Sequence, residues 1–173
     1  LAQLDLSPHL GRTEFFAVLP RIYRTQDEPI LRALLEDAAK KGVTGVSLAN
    51  LGHLSLVRGL ALSLHGGWPL NLYNSAALAF WKEEGLASAC VSFELRDAQL
   101  RDLSKCLPCE AIVYGRLPLM ITENCLNANE LGCRYFKDRP ASVPCDGACA
   151  TAPELTDRRG ERFPVLRAWG CRS

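Results

Sequence analysis

Up to about residue 120, short apolar runs alternate with amphipathic stretches, and this alternation restricts the possible folds more than any other feature of the chain. Phe15-Phe16-Ala17-Val18-Leu19 is an uninterrupted apolar run closed by Pro20, and it reads as a buried strand. Asp27 to Lys41 reads as a helix. Asp27 stands at the cap, Pro29 in the first turn, and Ile30, Leu31, Leu34, Leu35 and Ala38 recur on one face, with Gly42 as the stop. Val43 to Leu48 is a second strand and His53 to Leu60 a short helix. Leu70 to Tyr73 is a third strand, with Leu62 to Leu64 pairing ahead of it. Ser75 is the expected cap of a helix through Glu84, which Gly85 ends. Ala89 to Phe93, a helix from Asp97 to Ser104, and a fifth strand at Ala111 to Tyr114 complete the series.

Strands separated by helices at roughly 20–28 residues imply βα units and a parallel sheet. The strand candidates look apolar on both faces, as parallel strands covered by helices do. About five strands are too few for an eight-stranded barrel. The expected fold is therefore α/β, the C-terminal portion of a TIM-type (β/α) barrel, with the remaining N-terminal barrel half lying outside this sequence. A doubly wound open sheet has the same periodicity. Residues 1–120 form the βα part on this reading, and residues 121–173 form a Cys-rich irregular segment with a terminal β-hairpin that turns at Arg159-Gly160. An incomplete barrel leaves strand edges bare, so self-association of such a piece is also expected.

Eight cysteines follow 89 residues that contain none. Cys125, Cys133, Cys145, Cys149 and Cys171 crowd the final third, where residues 121–153 show little periodicity. An irregular stretch of that length in a compact domain needs something other than a core to order it. Four of the five thiols suffice for a structural zinc site or a 4Fe–4S cluster, and the tail contains no histidine. Spacing leaves zinc and iron–sulfur open, with a disulfide framework as a further alternative. Cys106-x2-Cys109 together with Cys125 and Cys133 superficially resembles a zinc ribbon. With a fifth strand at 111–114, however, the two groups would sit roughly 20 Å apart at opposite ends of the sheet. Cys90, inside a strand, reads as a small core residue.

Twenty Lys+Arg against nineteen Asp+Glu create no overall field that advertises nucleic acid or membrane. The longest uncharged run, Gly59 to Trp81, is interrupted by His65, Gly66, Gly67, Pro69, Asn71 and Asn74, so no membrane span is expected. Locally, residues 155–173 carry Arg158, Arg159, Arg162, Arg167 and Arg172 against Asp157 and Glu161, a modest basic patch. There is no His-Glu-x-x-His and no Gly-x-Ser-x-Gly. A Cys125–His65 nucleophile pair is conceivable, but spacing does not prefer it to ligation.

Three residues stand at strand ends in chemically useful positions. His65 precedes Gly66-Gly67, Asn74 follows the Leu70–Tyr73 run, and Arg116 follows Tyr114-Gly115. His65 and Asn74 are candidate substrate contacts, and Arg116 is a candidate bidentate partner for an anion, with a salt bridge to Glu123 as its alternative. Trp68, Trp81 and Trp169 are candidates for stacking on bases, Trp81 being more plainly core. His53 reads as a solvent-facing or capping residue, and His9 as part of an arm.

The stretch Glu110-Ala-Ile-Val-Tyr-Gly-Arg-Leu-Pro-Leu-Met-Ile-Thr-Glu-Asn-Cys125 resembles the signature of the collagenase-like peptidase family, the peptidases of unknown mechanism numbered thirty-two. Gly52-His53-Leu54, His65-Gly66-Gly67 leading into Leu70 to Ala76, and Leu155 to Pro164 preceding Gly170-Cys171-Arg172-Ser173 agree in order. The resemblance covers roughly residues 40–173. It implies a TIM-type barrel with a cysteine-rich segment. It also implies, for several members, hydroxylation of a pyrimidine in transfer or ribosomal RNA with a 4Fe–4S cluster held by four cysteines. Other members carry a collagenase or protease description. By motif, Cys125 matches the first ligand, Cys145 and Cys149 the central pair, and Cys171 the last, with Cys133 competing with Cys145. The chain departs from the family at Gly67, where relatives often carry Asp after His-Gly. The resulting expectation is a cytoplasmic RNA-modifying enzyme. The alternatives are a peptidase and a non-catalytic module whose zinc only orders the tail.

Overall fold

The computed structural model describes residues 5–123, 126 and 154–166. The chain divides into two compact units, Leu1–Gly115 and Arg116–Ser173.

In the first unit, β1 (Phe16–Val18), β2 (Gly45–Leu48), β3 (Ser63–Gly66), β4 (Ser88–Cys90) and β5 (Cys109–Glu110) form one sheet in that order, every pair parallel. Helices α1 (Glu28–Lys40), α2 (His53–Val57), α3 (Ser75–Glu83) and α4 (Asp97–Asp102) occupy the crossovers. Strand order follows chain order throughout. The reversal that defines a doubly wound sheet does not occur among β1–β5.

In a parallel ladder, register partners share a face, so the pairing sorts the side chains. Ala17, Val46 and Leu64 form one row, and Leu48, Gly66, Ala89 and Cys109 the next on the same face. Val46, Leu48 and Ala89 are completely excluded from water there. Leu31 and Leu35 of α1, Leu56 and Val57 of α2, and Leu78 and Trp81 of α3 are also buried, while Ala38 of α1 clusters with Leu6 and Val43 against Phe15 and Ala17. Arg32 of α1 clamps α2 by donating from its two terminal nitrogens to the carbonyls of Leu56 and Arg58, each at 3.1 Å.

The opposite face is different. Phe16, Gly45 and Ser63 form one row, Val18, Ser47, His65 and Ser88 the next, and Cys90 pairs with Glu110. Val18 is 79% exposed and Phe16 39%. The expectation of strands apolar on both faces is thus overturned. Ser47, Ser63, His65, Ser88 and Glu110 alternate with the hydrophobic positions and give the sheet a polar side.

Two expected strands are displaced. Leu70–Tyr73 is not a strand. Trp68–Leu70 makes a 3-10 turn around Pro69, Asn71 takes a left-handed φ of 50°, and only Leu72 returns to bridge Val91. The third strand is the upstream Ser63–Gly66. The fifth is Cys109–Glu110 rather than Ala111–Tyr114, whose Val113 and Tyr114 are 93% and 97% exposed. Cys109 therefore lies on a strand beside Ala89, and the separation inferred for it from a strand at 111–114 does not apply. The helix cap is also reassigned. Asn74 is the N-cap of α3, its Oδ1 accepting from Ala77 N–H at 2.8 Å, while Ser75 Oγ accepts from Ser104 N–H at 2.9 Å.

In the second unit, β6 (Glu154–Thr156) and β7 (Arg162–Pro164) form the antiparallel hairpin expected from sequence. Asp157 Oδ1 accepts from the backbone N–H groups of Arg159 and Glu161 at 2.8 and 2.9 Å, and Gly160 supplies the positive φ of 85°.

The asymmetry between the sheet faces is testable. Leu48→Ala should cost about 2–5 kcal/mol, since it empties a fully buried site, whereas Val18→Ala should cost less than about 0.5 kcal/mol. Urea midpoints of the two variants measure both.

Candidate functional site

His65 occupies the centre of the polar face. Its Nδ1 shares a hydrogen bond of 2.9 Å with Ser88 Oγ on β4, and its Nε2 lies 3.6 Å from Glu110 Oε2 on β5. Three consecutive strands thus each contribute one member of a histidine, hydroxyl and carboxylate row. The imidazole is 13% exposed and the Glu110 side chain 67% exposed. The Phe16 ring stands edge-on to the imidazole at 6.2 Å. A carboxylate beyond Nε2 favours the proton on that nitrogen, leaving Nδ1 to accept from the Ser88 hydroxyl. This arrangement can hold and pass a proton at Nε2.

Serine beside histidine raises the question of nucleophilic attack. Ser88 sits within a strand, and the next residue's N–H, Ala89, donates to the Pro108 carbonyl at 3.0 Å. In a nucleophile elbow that N–H is free to receive an oxyanion. Here the ladder already uses it, so Ser88 orients His65 without the oxyanion donor an acyl transfer needs.

At the C-terminal ends of β1 and β2, a second set of polar groups ties two loops together. His53 is fully buried, contrary to the expectation of a solvent-facing residue. Its Nδ1 accepts from Ala49 N–H at 2.9 Å, so the ring proton lies on Nε2, facing the backbone of Pro20. Tyr23 stacks against the ring at 5.2 Å and donates from its hydroxyl to the Gly52 carbonyl at 2.7 Å. Asn50 donates to the Arg21 carbonyl at 2.9 Å. Burial pushes the His53 pKa down to about 4, and the hydrogen bond to Pro20 opposes this only in part. The imidazole is therefore neutral near pH 7 and serves as a fixed tie between the loops.

Gly67 follows β3 directly. A Cβ there would stand 2.8 Å from Ser47 Oγ and 2.9 Å from the Leu48 carbonyl, to which Gly67 N–H already donates at 2.8 Å. Because the obstructing atom is backbone, this geometry holds no side chain at that position, and the glycine goes with the local packing.

Of the three expected site residues, His65 lies on the polar face, while the Asn74 amide oxygen is used as the α3 cap described above. Arg116 is exposed at the start of the second unit and makes no ion pair among the described residues. Ser88 and Glu110 were not singled out from sequence. Their proximity to His65 depends on strand register, which a single sequence does not display.

Cys125, Cys133, Cys145, Cys149 and Cys171 lie outside the described residues. Among the described residues, no group of three His, Cys, Asp or Glu side chains gathers as a metal site. The three described cysteines are free thiols. Burial raises the pKa of both Cys90 and Cys109, with the Glu110 carboxylate adding to the effect at Cys90, so both stay protonated at neutral pH. A protonated thiol is a poor ligand and a poor nucleophile. Trp81 is buried in the core, and Trp169 lies outside the described residues.

Among the described residues, no helix is long and apolar enough to cross a membrane. The model of Peptidase family U32 matches residues 6–156 of the 173. No curated protein and no solved structure matches the chain.

The depressed His53 pKa predicts a specific pH response. The unfolded chain binds this proton near pH 6.5 and the folded chain only near pH 4. Stability is therefore fully present above pH 6.5 and falls as pH drops toward 4, by on the order of 3 kcal/mol from this group. Urea unfolding at pH 7 and pH 4 should show that loss in the parent and a smaller one in His53→Gln. An equal loss in both would assign it to other groups.

Proposed function

Because the chain belongs to peptidase family U32, we propose that it is part of an RNA-modifying enzyme that hydroxylates a pyrimidine in transfer or ribosomal RNA. On this reading the five parallel strands are an arc of a TIM-type barrel. Their unreversed order and single helix-covered face support this, because a closed barrel keeps all its helices outside. The polar face carrying His65 would then look inward and be completed by the remaining N-terminal barrel half.

The observation that carries the choice of chemistry is the His65 row. It offers proton transfer at Nε2, while the neighbouring Ala89 N–H is committed to Pro108. That combination suits a proton acceptor or donor better than an acyl-transfer nucleophile, so it favours RNA modification over the peptidase reading. Arg116, exposed and without an ion pair among the described residues, would hold an anionic group. Asn74 would act on substrate only from its place as the α3 cap.

RNA contact draws support from the hairpin. Arg158 and Arg159 are exposed at its tip and form no ion pair among the described residues, whereas Arg162 is paired with Glu154. Two free cations on a rigid turn are suited to phosphates.

Cys125, Cys145, Cys149 and Cys171 would hold the 4Fe–4S cluster, with Cys133 competing for the place of Cys145. Four thiolates and no tail histidine suit that cluster, and equally a four-cysteine zinc site. When bound, the cluster would supply one-electron transfer. A cytoplasmic location accords with the free thiols of Cys90, Cys106 and Cys109.

The full-length protein purified without oxygen should contain about four irons and four sulfides per chain. It should lose them on Cys145→Ala or Cys149→Ala. Stoichiometric zinc without iron would contradict the proposal and favour a zinc-ordered module.

A further inference from the structure

Three side chains leave the sheet at the C-terminal ends of separate strands and meet above it. Arg21 follows β1, Trp68 follows β3 and Phe93 follows β4. In open parallel sheets and in barrels alike, this is the edge where ligands bind. The guanidinium carbon of Arg21 lies 4.8 Å from the centre of the Trp68 ring. The Trp68 and Phe93 rings are 6.0 Å apart, inclined at 60°. Phe93 is 44% exposed, Trp68 is half-buried and Arg21 is exposed.

The guanidinium is unusual in its surroundings. Among the described residues no carboxylate pairs with it. It is held by the indole face, an attraction worth about 0.5–1 kcal/mol where water reaches it. Its backbone is fixed as well, because Asn50 donates to the Arg21 carbonyl and the His53–Tyr23 tie secures the same loop. The result is a cation fixed at both ends, its guanidinium over the Trp68 ring in an exposed side chain, with its N–H donors unspent on acids among the described residues. The exposed Phe93 ring stands next to the same Trp68. Planar rings stack on such guanidinium faces, and phosphate oxygens take the in-plane N–H donors bidentately.

We propose that Arg21, Trp68 and Phe93 form a stacking platform for a base of single-stranded RNA. The base lies on the outer face of the Arg21 guanidinium and against Phe93, and an adjoining phosphate accepts from Arg21. Trp68 is a positioning residue, since the guanidinium rests over its ring and it is itself half-buried. The platform rests on the RNA reading above and adds to it a place and a mode of base capture.

The test uses the whole chain and two labelled oligomers of equal length and charge, oligouridylate and an abasic ribose-phosphate chain, followed by fluorescence anisotropy. Wild-type protein should bind oligouridylate about tenfold more tightly than the abasic chain, the scale of one stacked base. Phe93→Ala and Arg21→Ala should each remove most of that preference. Arg21→Lys should lose it too while retaining affinity for the abasic chain, because an ammonium does not stack. Trp68→Phe should keep it. Circular dichroism and urea midpoints matching the parent establish that the variants fold. If oligouridylate binds but its preference over the abasic chain survives in both alanine variants, the platform is overturned and the RNA reading stands. If wild-type protein binds neither oligomer at low salt, both fall together.

Discussion

Val46, Leu48 and Ala89 lie on one face of the sheet, wholly out of contact with water, and the first unit is arranged around that exclusion. Burying hydrocarbon at about 25 cal/mol per Å² is the main favourable term for so small a layer. Because side chains alternate along a strand, fixing these positions inward under the helices fixes Ser47, His65 and Ser88 on the other side. A one-residue slip of β3 would bury the imidazole under helices and expose Leu64. The chemistry-bearing row is therefore a consequence of how the hydrophobic row packs. Register alone brings His65 within 2.9 Å of Ser88 and 3.6 Å of Glu110.

The C-terminal edge of the sheet follows a different logic. Its loops are anchored by buried apolar residues such as Leu19, Leu72 and Leu95, and hydrogen bonds add ties between them. A buried neutral imidazole is well suited to such a tie, since His53 accepts at one nitrogen and donates at the other without carrying a charge into the interior. Gly67 contributes by letting the chain pass against the Leu48 carbonyl. The loop after β1 is thereby held where Arg21 can rest on Trp68.

Helices and strands marked by strong local signals were legible in the sequence. The α1 periodicity from Leu31 to Ala38, the apolar run around Ala17 and the Asp157–Gly160 turn all appear where the residues indicated. What failed was decided by contacts between distant residues. Leu70–Tyr73 and Ala111–Tyr114 are as apolar as true strands, but Pro69 and the left-handed Asn71 bend the first, and no partner pairs the second among the described residues. Asn74 and Ser75 are equally good caps by residue type. The extended backbone of Asn74 decides between them. Of the site, His65 was visible as a histidine at a strand end, whereas Ser88, Glu110 and the Arg21–Trp68–Phe93 grouping exist only once register and loop paths are known.

The reading proposed for this member of family U32 is that His65, on a parallel βα sheet, handles a proton in RNA modification. Its most direct test is nucleoside mass spectrometry of transfer and ribosomal RNA from cells lacking the full-length protein, complemented with either the parent or His65→Gln. The account predicts a pyrimidine nucleoside heavier by one oxygen that returns with the parent and not with the variant, both proteins being present at equal levels. Identical nucleoside profiles with and without the parent protein would contradict it.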